Sequence, residues 1–410
     1  MLVSVQFVIG SASQDHSKEL VKMADEWLQQ SSDHEVFYLV PNHVKFETEI
    51  HVLKELAELP RYSKWENMVS MRLQVFSFSR LAWYYLQNTA EYQEQQLSTV
   101  SKFMILKQVL LENATNLELF QYEINKPGFV EQLIDLFDEL QEGFITPEDL
   151  EETLNELKIQ GKVTENFIKL NDIKAIYTYY SERISELDAS GHDLLLSLGD
   201  YLQNKNLKNV MFIVSGFSNF TAIEKQLIES LMKASGEFKI SLVVDKAYTN
   251  QVPEARDLFF NTGHLYYELY QIAKENKLPI LFDKKLTDET TSMTALDIVW
   301  QQSQKLMKTS DKMVVDKSDV SLEVWNAVGP YNEMLSVAKE IRRLVSIEGY
   351  RYQDITVLTR DLASYQQIIS PILVENDIPF YFNQEEEMKH HPLIEFINAL
   401  FQMKQYFLSV

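Results

Sequence analysis

The chain contains no cysteine among its 410 residues, which excludes disulfides, thiolate zinc sites, iron–sulfur clusters and cysteine nucleophiles from it. No apolar run reaches the roughly 20 residues that a membrane-spanning helix needs. The apolar opening has no lysine or arginine before Lys18, so it is better interpreted as a buried strand than as a signal peptide. Together these absences predict a cytoplasmic protein with no membrane partner.

Positive charge is also scarce, because 38 lysines and arginines stand against 60 aspartates and glutamates, for a net charge of −22. A nucleic-acid-binding domain usually carries a basic surface, so the overall charge argues against one. The charge is uneven, however. Residues 131–160 hold ten carboxylates and one lysine, whereas residues 36–83 hold six lysines and arginines against five carboxylates. A DNA-binding surface is therefore expected in the second of these segments.

Alternating strand and helix patterns predict a parallel α/β sheet. Strands are expected at residues 3–9, 36–40, 73–78, 210–214 and 238–244. Between residues 98 and 205 apolar residues recur at helical spacing instead, which predicts a helical subdomain inserted into the α/β domain. Residues 245–320 are mixed and polar, and we expect them to be rich in loops.

A second α/β unit is predicted after residue 320. Its strands are expected at residues 322–328, 355–359 and 378–382, with helices between them. The chain ends inside a helical pattern, with no glycine or proline nearby to stop it. We therefore expect the sequence to be the first part of a longer protein.

The loop after the first strand resembles a phosphate-binding loop. Such a loop has the pattern G-x-x-x-x-G-K-[ST], in which backbone amides and the lysine hold phosphates and the hydroxyl binds magnesium. Gly10 and Ser17 stand at the two ends of this pattern, but Asp15 replaces the second glycine and His16 the lysine. An aspartate repels phosphate oxygens, and a neutral histidine is a poor substitute for a fixed cation. The segment is either a decayed nucleotide loop or an ordinary strand–turn–helix.

Two later segments also indicate whether the chain can bind and hydrolyse ATP. In P-loop enzymes a carboxylate that holds magnesium follows a buried strand, yet the strand at 210–214 is followed by Ser215 and Gly216. Arg360 follows the strand predicted at 355–359, where a helicase arginine can contact the γ-phosphate; a surface salt bridge is the alternative. The missing lysine and the missing acid together predict that the chain no longer hydrolyses ATP.

Ser77, Phe78, Arg80 and Trp83 combine a hydroxyl, aromatic rings and a cation at a predicted strand-to-helix turn. Bases can stack on the rings, phosphates can pair with the arginine, and the start of the helix adds backbone amides. Core packing with a serine cap is the alternative interpretation.

Several segments, in the same order, resemble the N-terminal part of the B subunit of AddAB-type helicase–nucleases, and most closely the RexB branch of lactic-acid bacteria and streptococci. These segments are residues 3–17, 38–49, 74–87, 213–232, 355–369 and 378–400. The most specific are QVFSFSRLAWYYLQ at 74–87 and IPFYFNQEEEMKHHPLIEFINAL at 378–400. The resemblance spans nearly the whole chain.

The resemblance implies a P-loop NTPase fold of RecA-like, UvrD-type superfamily 1 architecture that has decayed as a motor. Residues 1–95 and 205–320 would form the first RecA-like domain, 1A, and residues 96–205 its all-helical insertion, 1B. Residues 321–410 would begin the second RecA-like domain, 2A. The nuclease domain would lie beyond residue 410.

The resemblance also implies where DNA and the Chi hotspot sequence are bound. The residues expected to bind them are His43, Lys45, Phe46, Ser77, Phe78, Arg80, Trp83, Phe217 and Phe220. His43 and Lys45 stand where the family often has glutamine and threonine, although the aromatic and arginine positions are kept. Because hydrogen-bonding residues have changed, we expect a hotspot sequence different from that of relatives carrying glutamine and threonine.

The implied function is that of an inactivated helicase part of the B subunit, in a complex that resects DNA double-strand breaks for homologous recombination. The chain would bind the 3′ single strand and scan it for Chi, with no catalytic residue or cofactor of its own. ATP and magnesium would serve the full helicase–exonuclease complex. The expected partners are the AddA/RexA subunit, in a heterodimer, and single- and double-stranded DNA.

No metal site is predicted, because the side chains of the adjacent His390 and His391 are expected to point in different directions. Two alternative functions remain open. The chain could be a divergent but active ATP-binding helicase domain, or a protein-interaction scaffold whose acidic helical region docks a basic partner.

Overall fold

The computed structural model describes most of the chain. The described residues are 4–12, 14–59, 61–62, 72–89, 98–126, 128–161, 164–186, 194–203, 205–286, 322–381, 388 and 391–407. They fall into two compact units, one containing the described residues up to 286 and the other those from 322 onward. Within these ranges no helix combines the length and apolar character that crossing a membrane requires.

The first unit contains a six-stranded sheet with the order β3-β2-β4-β5-β1-β6. The strands are β1 (Ser4–Gly10), β2 (Glu35–Leu39), β3 (Leu73–Phe76), β4 (Leu207–Val214), β5 (Ser235–Val243) and β6 (Lys284–Lys285). All neighbouring strands are parallel, so all the carboxyl ends lie at one edge of the sheet. The predicted parallel α/β sheet is confirmed, and the fold is consistent with a RecA-like domain.

Ten α-helices accompany the described part of this sheet. They are α1 (His16–Gln30), α2 (Lys45–Glu58), α3 (Phe78–Leu86), α4 (Thr99–Glu112), α5 (Phe129–Glu142), α6 (Pro147–Ile159), α7 (Glu165–Glu186), α8 (Leu194–Gln203), α9 (Ala222–Ala234) and α10 (Phe260–Glu275). Strands β1, β2, β3 and β4 each lead into the helix that follows, so the helix starts lie at the carboxyl edge of the sheet.

Both faces of the sheet are apolar, as expected for parallel strands covered on two sides. Alternate residues of β1 separate between two cores: Phe7 and Ile9 join one, and Val8 joins the other. Trp27 of α1 is buried against the second face, where its indole nitrogen donates to the Glu35 carbonyl at 3.2 Å. Residues of opposite side-chain direction are thus both buried, as in a parallel sheet covered on two sides.

Helices α4 to α7 have a separate apolar core, centred on residues such as Phe137 and Tyr180. The carboxylate of Asp172, on α7, is buried there and accepts three backbone N–H groups, from Glu118, Leu119 and Phe120, at 3.1, 2.7 and 3.0 Å. These bonds offset the cost of burying the charge.

Helix α8 packs on the sheet side of the first unit, because it contacts α3 and α9. Its Leu198 and Leu202 belong to the core of the sheet and not to that of helices α4 to α7. The domain boundaries at 95, 205 and 320 stay a prediction.

The second unit contains helices α11 (Pro330–Ile347), α12 (Ala363–Glu375) and α13 (Pro392–Phe407). Met334 and Ile341 of α11 pack with Ile369 and Ile372 of α12 in its apolar core. The strands expected at 322–328, 355–359 and 378–382 are wrong, because the described residues of these segments form no strand. Apolar alternation gives a segment strand character, but a strand also needs a hydrogen-bonded neighbour, which the pattern cannot supply.

Two helices in the first unit differ from the sequence prediction. Residues 260–275, expected in a loop-rich region, form α10, which buries Leu265, Tyr266 and Leu269 at spacings of one, three and four residues. Helix α2 is not predicted either, although its Val52 and Leu56 are four residues apart and buried. In both, polar and aromatic residues between the buried positions obscure the helical period.

Candidate nucleic-acid interface

Strands β3, β2 and β4 are neighbours in the sheet, so the segments that follow them converge at its carboxyl edge. The segment after β2 contains His43 in a short 3-10 turn and Lys45 and Phe46 at the start of α2. Ser77 joins β3 to α3, and Phe217 lies between β4 and α9. The strand order therefore brings together three sequence blocks that are far apart along the chain.

Cations and aromatic rings alternate along this edge. The ammonium of Lys45 lies 6.0 Å from the centroid of the Phe76 ring, and the guanidinium of Arg80 lies 5.9 Å from the same ring. Arg80 also lies 3.9 Å over the ring of Trp83. We call these four residues the cation–aromatic row. Such contacts are attractive because the cation meets the negative face of the ring.

The two cations of the row are available to an anion. Among the described residues, neither Lys45 nor Arg80 forms an ion pair. Arg80 is exposed and Lys45 half-buried, while Phe76 beneath them is only 8% exposed. Two unpaired cations held over rings at a helix start make a surface suited to a phosphate backbone with bases alongside it.

Ser77 sets the direction of α3 and so the position of Arg80. Its extended backbone is that of a helix cap, and its hydroxyl accepts the Arg80 amide at 3.3 Å. The Ser77 and Ser79 hydroxyls lie 3.1 Å apart. Ser77 is buried at 4% exposure, so its structural contribution is to cap the helix that presents Arg80 and Trp83.

Three phenylalanines form an aromatic cluster beside the row. The Phe78 ring lies 5.1 Å from Phe217 and 5.9 Å from Phe220, and Phe217 and Phe220 are 4.9 Å apart. Phe78 and Phe220 are only 5% and 6% exposed, and Phe217 is half-buried. A base can stack only on an accessible ring face, so in this conformation Phe78 and Phe220 support Phe217 from below.

The segments after β2 and β4 are joined by close backbone contact. The Ser215 amide donates to the Leu39 carbonyl at 3.0 Å. Gly216 follows with a φ of +82°, and a Cβ at this position would lie 3.3 Å from Cδ of Pro41. The left-handed backbone and the proline contact both favour glycine here. Phe217 is thereby held at a fixed place relative to the segment that carries Lys45.

An exposed ring extends the surface along α2. Phe46 is 74% exposed in the first turn of this helix, and His43, in the turn just before it, is also exposed. A large exposed ring next to a cation is a feature of single-strand-binding surfaces, where rings stack on bases without sequence preference.

The phosphate-like loop after β1 is closed by its own side chains. The Gln14 side-chain oxygen accepts the Ser11 amide at 2.8 Å. The His16 ring bridges the Ser11 carbonyl, 2.9 Å from Nε2, and the Ser241 hydroxyl of β5, 2.7 Å from Nδ1. Because a carbonyl can only accept, Nε2 carries the proton and Nδ1 accepts from the serine. No sequence pattern indicates that Gln14 and Ser241 take part.

The charge of this loop is also unlike that of a phosphate cradle. Burial lowers the pKa of His16 below its usual value of 6.5, although the Ser11 carbonyl and the Asp15 charge act in the opposite direction. Asp15 caps α1 by accepting the Lys18 amide at 2.9 Å, which places a carboxylate where phosphate would sit. The hydroxyl oxygen of Ser17 is buried, beside the Tyr38 hydroxyl.

These residues do not fit a magnesium-bound triphosphate. One amide of the loop is already bonded to Gln14, and the imidazole of His16 replaces the lysine cation. Strand β4 is followed by Ser215 and Gly216 and not by a carboxylate, and the described residues contain no cluster of three potential metal ligands. His390 lies outside the described residues. Arg360 is exposed in the second unit, and its nucleotide-binding role stays a prediction.

Comparison with known proteins gives a consistent result. The family described as "ADDB, N-terminal" matches residues 7–298. The chain is 40% identical over 408 residues to the B subunit of the ATP-dependent helicase/deoxyribonuclease of Enterococcus faecalis, covering 98% of the chain and 34% of that relative. For the B subunits of the same name from Latilactobacillus sakei and Levilactobacillus brevis, the identities are 37% and 34%, with 99% and 98% of the chain and 34% and 33% of the relative covered. The chain thus spans about a third of the length of these relatives.

Proposed function

Because the chain belongs to the family described as "ADDB, N-terminal", we propose that it is the DNA-holding part of the B subunit of a helicase–deoxyribonuclease. In this proposal the chain has a decayed RecA-like, UvrD-type fold and holds the unwound 3′ single strand during resection of double-strand breaks. It scans that strand for Chi while a partner subunit of the AddA/RexA kind drives movement with ATP and magnesium. Nuclease activity and contacts with double-stranded DNA belong to the longer protein and its complex, in the cytoplasm.

The observation that carries the proposal is the cation–aromatic row at the carboxyl edge of β3, β2 and β4. Ligands of open parallel sheets bind outside the carboxyl ends of the strands. In this chain that edge presents Lys45 and Arg80, two cations that form no ion pair with the described residues, together with the accessible rings of Phe46 and Trp83. Phosphates would pair with the cations while bases stack on the rings, each stacked base contributing about 1–3 kcal/mol.

The loop after β1 favours a complex in which another subunit binds the nucleotide. A nucleotide would have to displace Gln14 from the Ser11 amide and sit against the Asp15 carboxylate without a lysine to hold it. We therefore assign this loop a structural role, in which His16 ties α1 to β5. No step of the proposed function passes through nucleotide bound to this chain.

Binding of a fluorescent oligothymidine, followed by anisotropy at several salt concentrations, tests the proposal. We expect the wild-type chain to bind, with an affinity that falls as salt rises, because phosphate contacts release counterions. Arg80→Ala and Trp83→Ala should each weaken binding about tenfold, since each removes a cation or a stacking face worth about 1–3 kcal/mol. Arg80→Ala should also reduce the salt slope by about 0.7.

Lys169→Ala is the matched control. Lys169 is an exposed cation on α7, outside the cation–aromatic row, and its loss should leave the affinity within about twofold of the wild type. Equal weakening by Lys169→Ala and Arg80→Ala would mean that binding is a general charge effect and would contradict the proposal.

A protein-interaction scaffold is the second candidate, and the acidic helices favour it. Helices α5 and α6 carry the ten carboxylates of residues 131–160. An apolar groove lies between α6 and α7, lined in part by Leu157, Phe167 and Leu170. A basic amphipathic partner would match both features. A wild-type chain that binds no single-stranded DNA even at low salt would favour this candidate over the first.

A further inference from the structure

The segment between β4 and α9 contains two exposed polar residues, Ser218 and Asn219, which we call the polar tip. Both side chains are exposed, between the half-buried ring of Phe217 and the buried ring of Phe220. The Ser218 hydroxyl donates to the Asn219 side-chain oxygen at 3.4 Å. This contact is long and involves only the amide oxygen, and the two N–H donors of the Asn219 carboxamide have no partner among the described residues.

Other residues already hold this segment in place. Phe220 packs against Phe78, and α9 begins at a capping box in which the Thr221 hydroxyl accepts the Glu224 amide and the Glu224 carboxylate accepts the Thr221 amide, at 3.2 and 3.0 Å. Asn219 is thus neither the cap of α9 nor part of the core. Asparagine and serine are common in turns, but the turn here has its own anchors.

The chemistry of a carboxamide suits a base edge better than a phosphate. It presents a donor and an acceptor side by side, as the edge of a base does, whereas phosphate oxygens only accept. Single-stranded bases expose these edges and are recognised by stacking together with hydrogen bonds to the edge. A base stacked on Phe217 would bring its edge to the neighbouring polar tip.

We propose that Asn219 reads the edge of the base that stacks on Phe217 and so gives the single-strand surface its sequence preference. The proposal rests on the proposed function, because it needs single-stranded DNA at this edge of the sheet. The cation–aromatic row would supply affinity that is independent of sequence, and the polar tip would supply discrimination.

The test compares binding of homopolymers of deoxyadenosine, deoxycytidine and thymidine, each roughly 15 nucleotides long, at one salt concentration. The wild-type chain should prefer one of them. Asn219→Ala should reduce the ratio between the best and the worst binder by about fivefold or more, the range expected for a base-edge hydrogen-bond pair. The salt slope should not change, because no phosphate contact is lost.

Two further variants separate base reading from a structural effect. Asn219→Gln keeps the carboxamide and should restore a preference among the homopolymers. Asn155→Ala removes an exposed asparagine on α6 and should leave the wild-type ratio intact. A wild-type chain that binds all three oligonucleotides equally, or an unchanged ratio in Asn219→Ala, overturns this inference alone. Absence of any DNA binding by the wild type overturns the proposed function as well.

Discussion

Arg80 contacts two aromatic rings of the cation–aromatic row. Its guanidinium lies 3.9 Å over the Trp83 ring and 5.9 Å from Phe76, and it forms no ion pair with the part of the chain that the structure describes, so ring contacts hold it in place. An exposed cation–π contact contributes only about 0.5–1 kcal/mol, which is small enough for the arginine to turn towards a phosphate. Lysine would keep the charge but lose the flat surface that stacks on tryptophan.

His16 gives the first unit a pH-dependent stability. Its pKa in the folded chain lies below 6.5, mainly because of burial, so the unfolded chain takes up a proton first as the pH falls. The contribution of the neutral ring is therefore fully present above pH 6.5 and is lost as the pH falls through the lowered pKa. His16→Gln should be about 1 kcal/mol less stable at pH 7.5, because bonds to Ser11 and Ser241 are disturbed.

The measurement for His16 is urea unfolding of the wild type and His16→Gln at several pH values between 7.5 and 5.5. The difference in the free energy of unfolding should shrink towards the acidic end, because glutamine does not titrate. A constant difference across this range would mean that the pKa of His16 is the same in the folded and unfolded chains, and would contradict the predicted pH dependence.

A substitution in the segment after β4 tests how the candidate interface is positioned. Gly216→Ala places a side chain on a residue with a φ of +82° and at 3.3 Å from Pro41. It should lower the free energy of unfolding by about 1–2 kcal/mol, the cost of a left-handed backbone for a residue with a Cβ. It should also weaken binding of oligothymidine several-fold, because Phe217 is displaced from the edge of the sheet.

Gly161→Ala is the matched control for that change. Gly161 also has a positive φ, +68°, but a Cβ there would have nothing within 4 Å, and it lies at the end of α6. Its substitution should cost similar stability, measured by urea unfolding, without affecting the anisotropy of bound oligothymidine. If both variants lost DNA affinity equally, the effect of Gly216 would come from general destabilisation.

Strands and helices could be predicted from the sequence where the apolar pattern was continuous. The five long strands of the sheet follow runs such as VMFIV at 210–214, which are buried on both faces. Helix α10 was missed because Tyr267 and polar residues stand between its buried positions and obscure their helical spacing. The strands expected in the second unit were wrong because pairing with a neighbour is a tertiary property, absent from the local pattern.

Assembly of the interface is a property of the whole first unit. The sequence predicted Arg80 and Trp83 as DNA-binding residues from their block, but the strand order that places β3 next to β2 and β4 is set by long-range packing. The burial of Phe78 and Phe220 could not be predicted from the sequence either, because an aromatic residue near a turn can face the core or the solvent. Sequence patterns therefore indicated the chemistry of the site and left its geometry open.

The net charge of −22 is compatible with the proposed DNA binding at one edge of the sheet. Exposed charges separated by more than about 8 Å are largely screened at physiological ionic strength. The acidic residues 131–160 lie in helices with their own core, whereas Lys45 and Arg80 share the ring of Phe76. Local charge therefore decides the contact with a phosphate, and the acidic surface limits non-specific association.

The proposed role in holding single-stranded DNA can be probed by ultraviolet crosslinking of oligothymidine to the intact chain, with the attachment sites located by mass spectrometry. We expect crosslinks at Phe46, Trp83 and Phe217 and the residues beside them, with the same map whether or not magnesium and ATP are added. Crosslinks confined to helices α4 to α7, or a map that changes when nucleotide is added, would contradict this role.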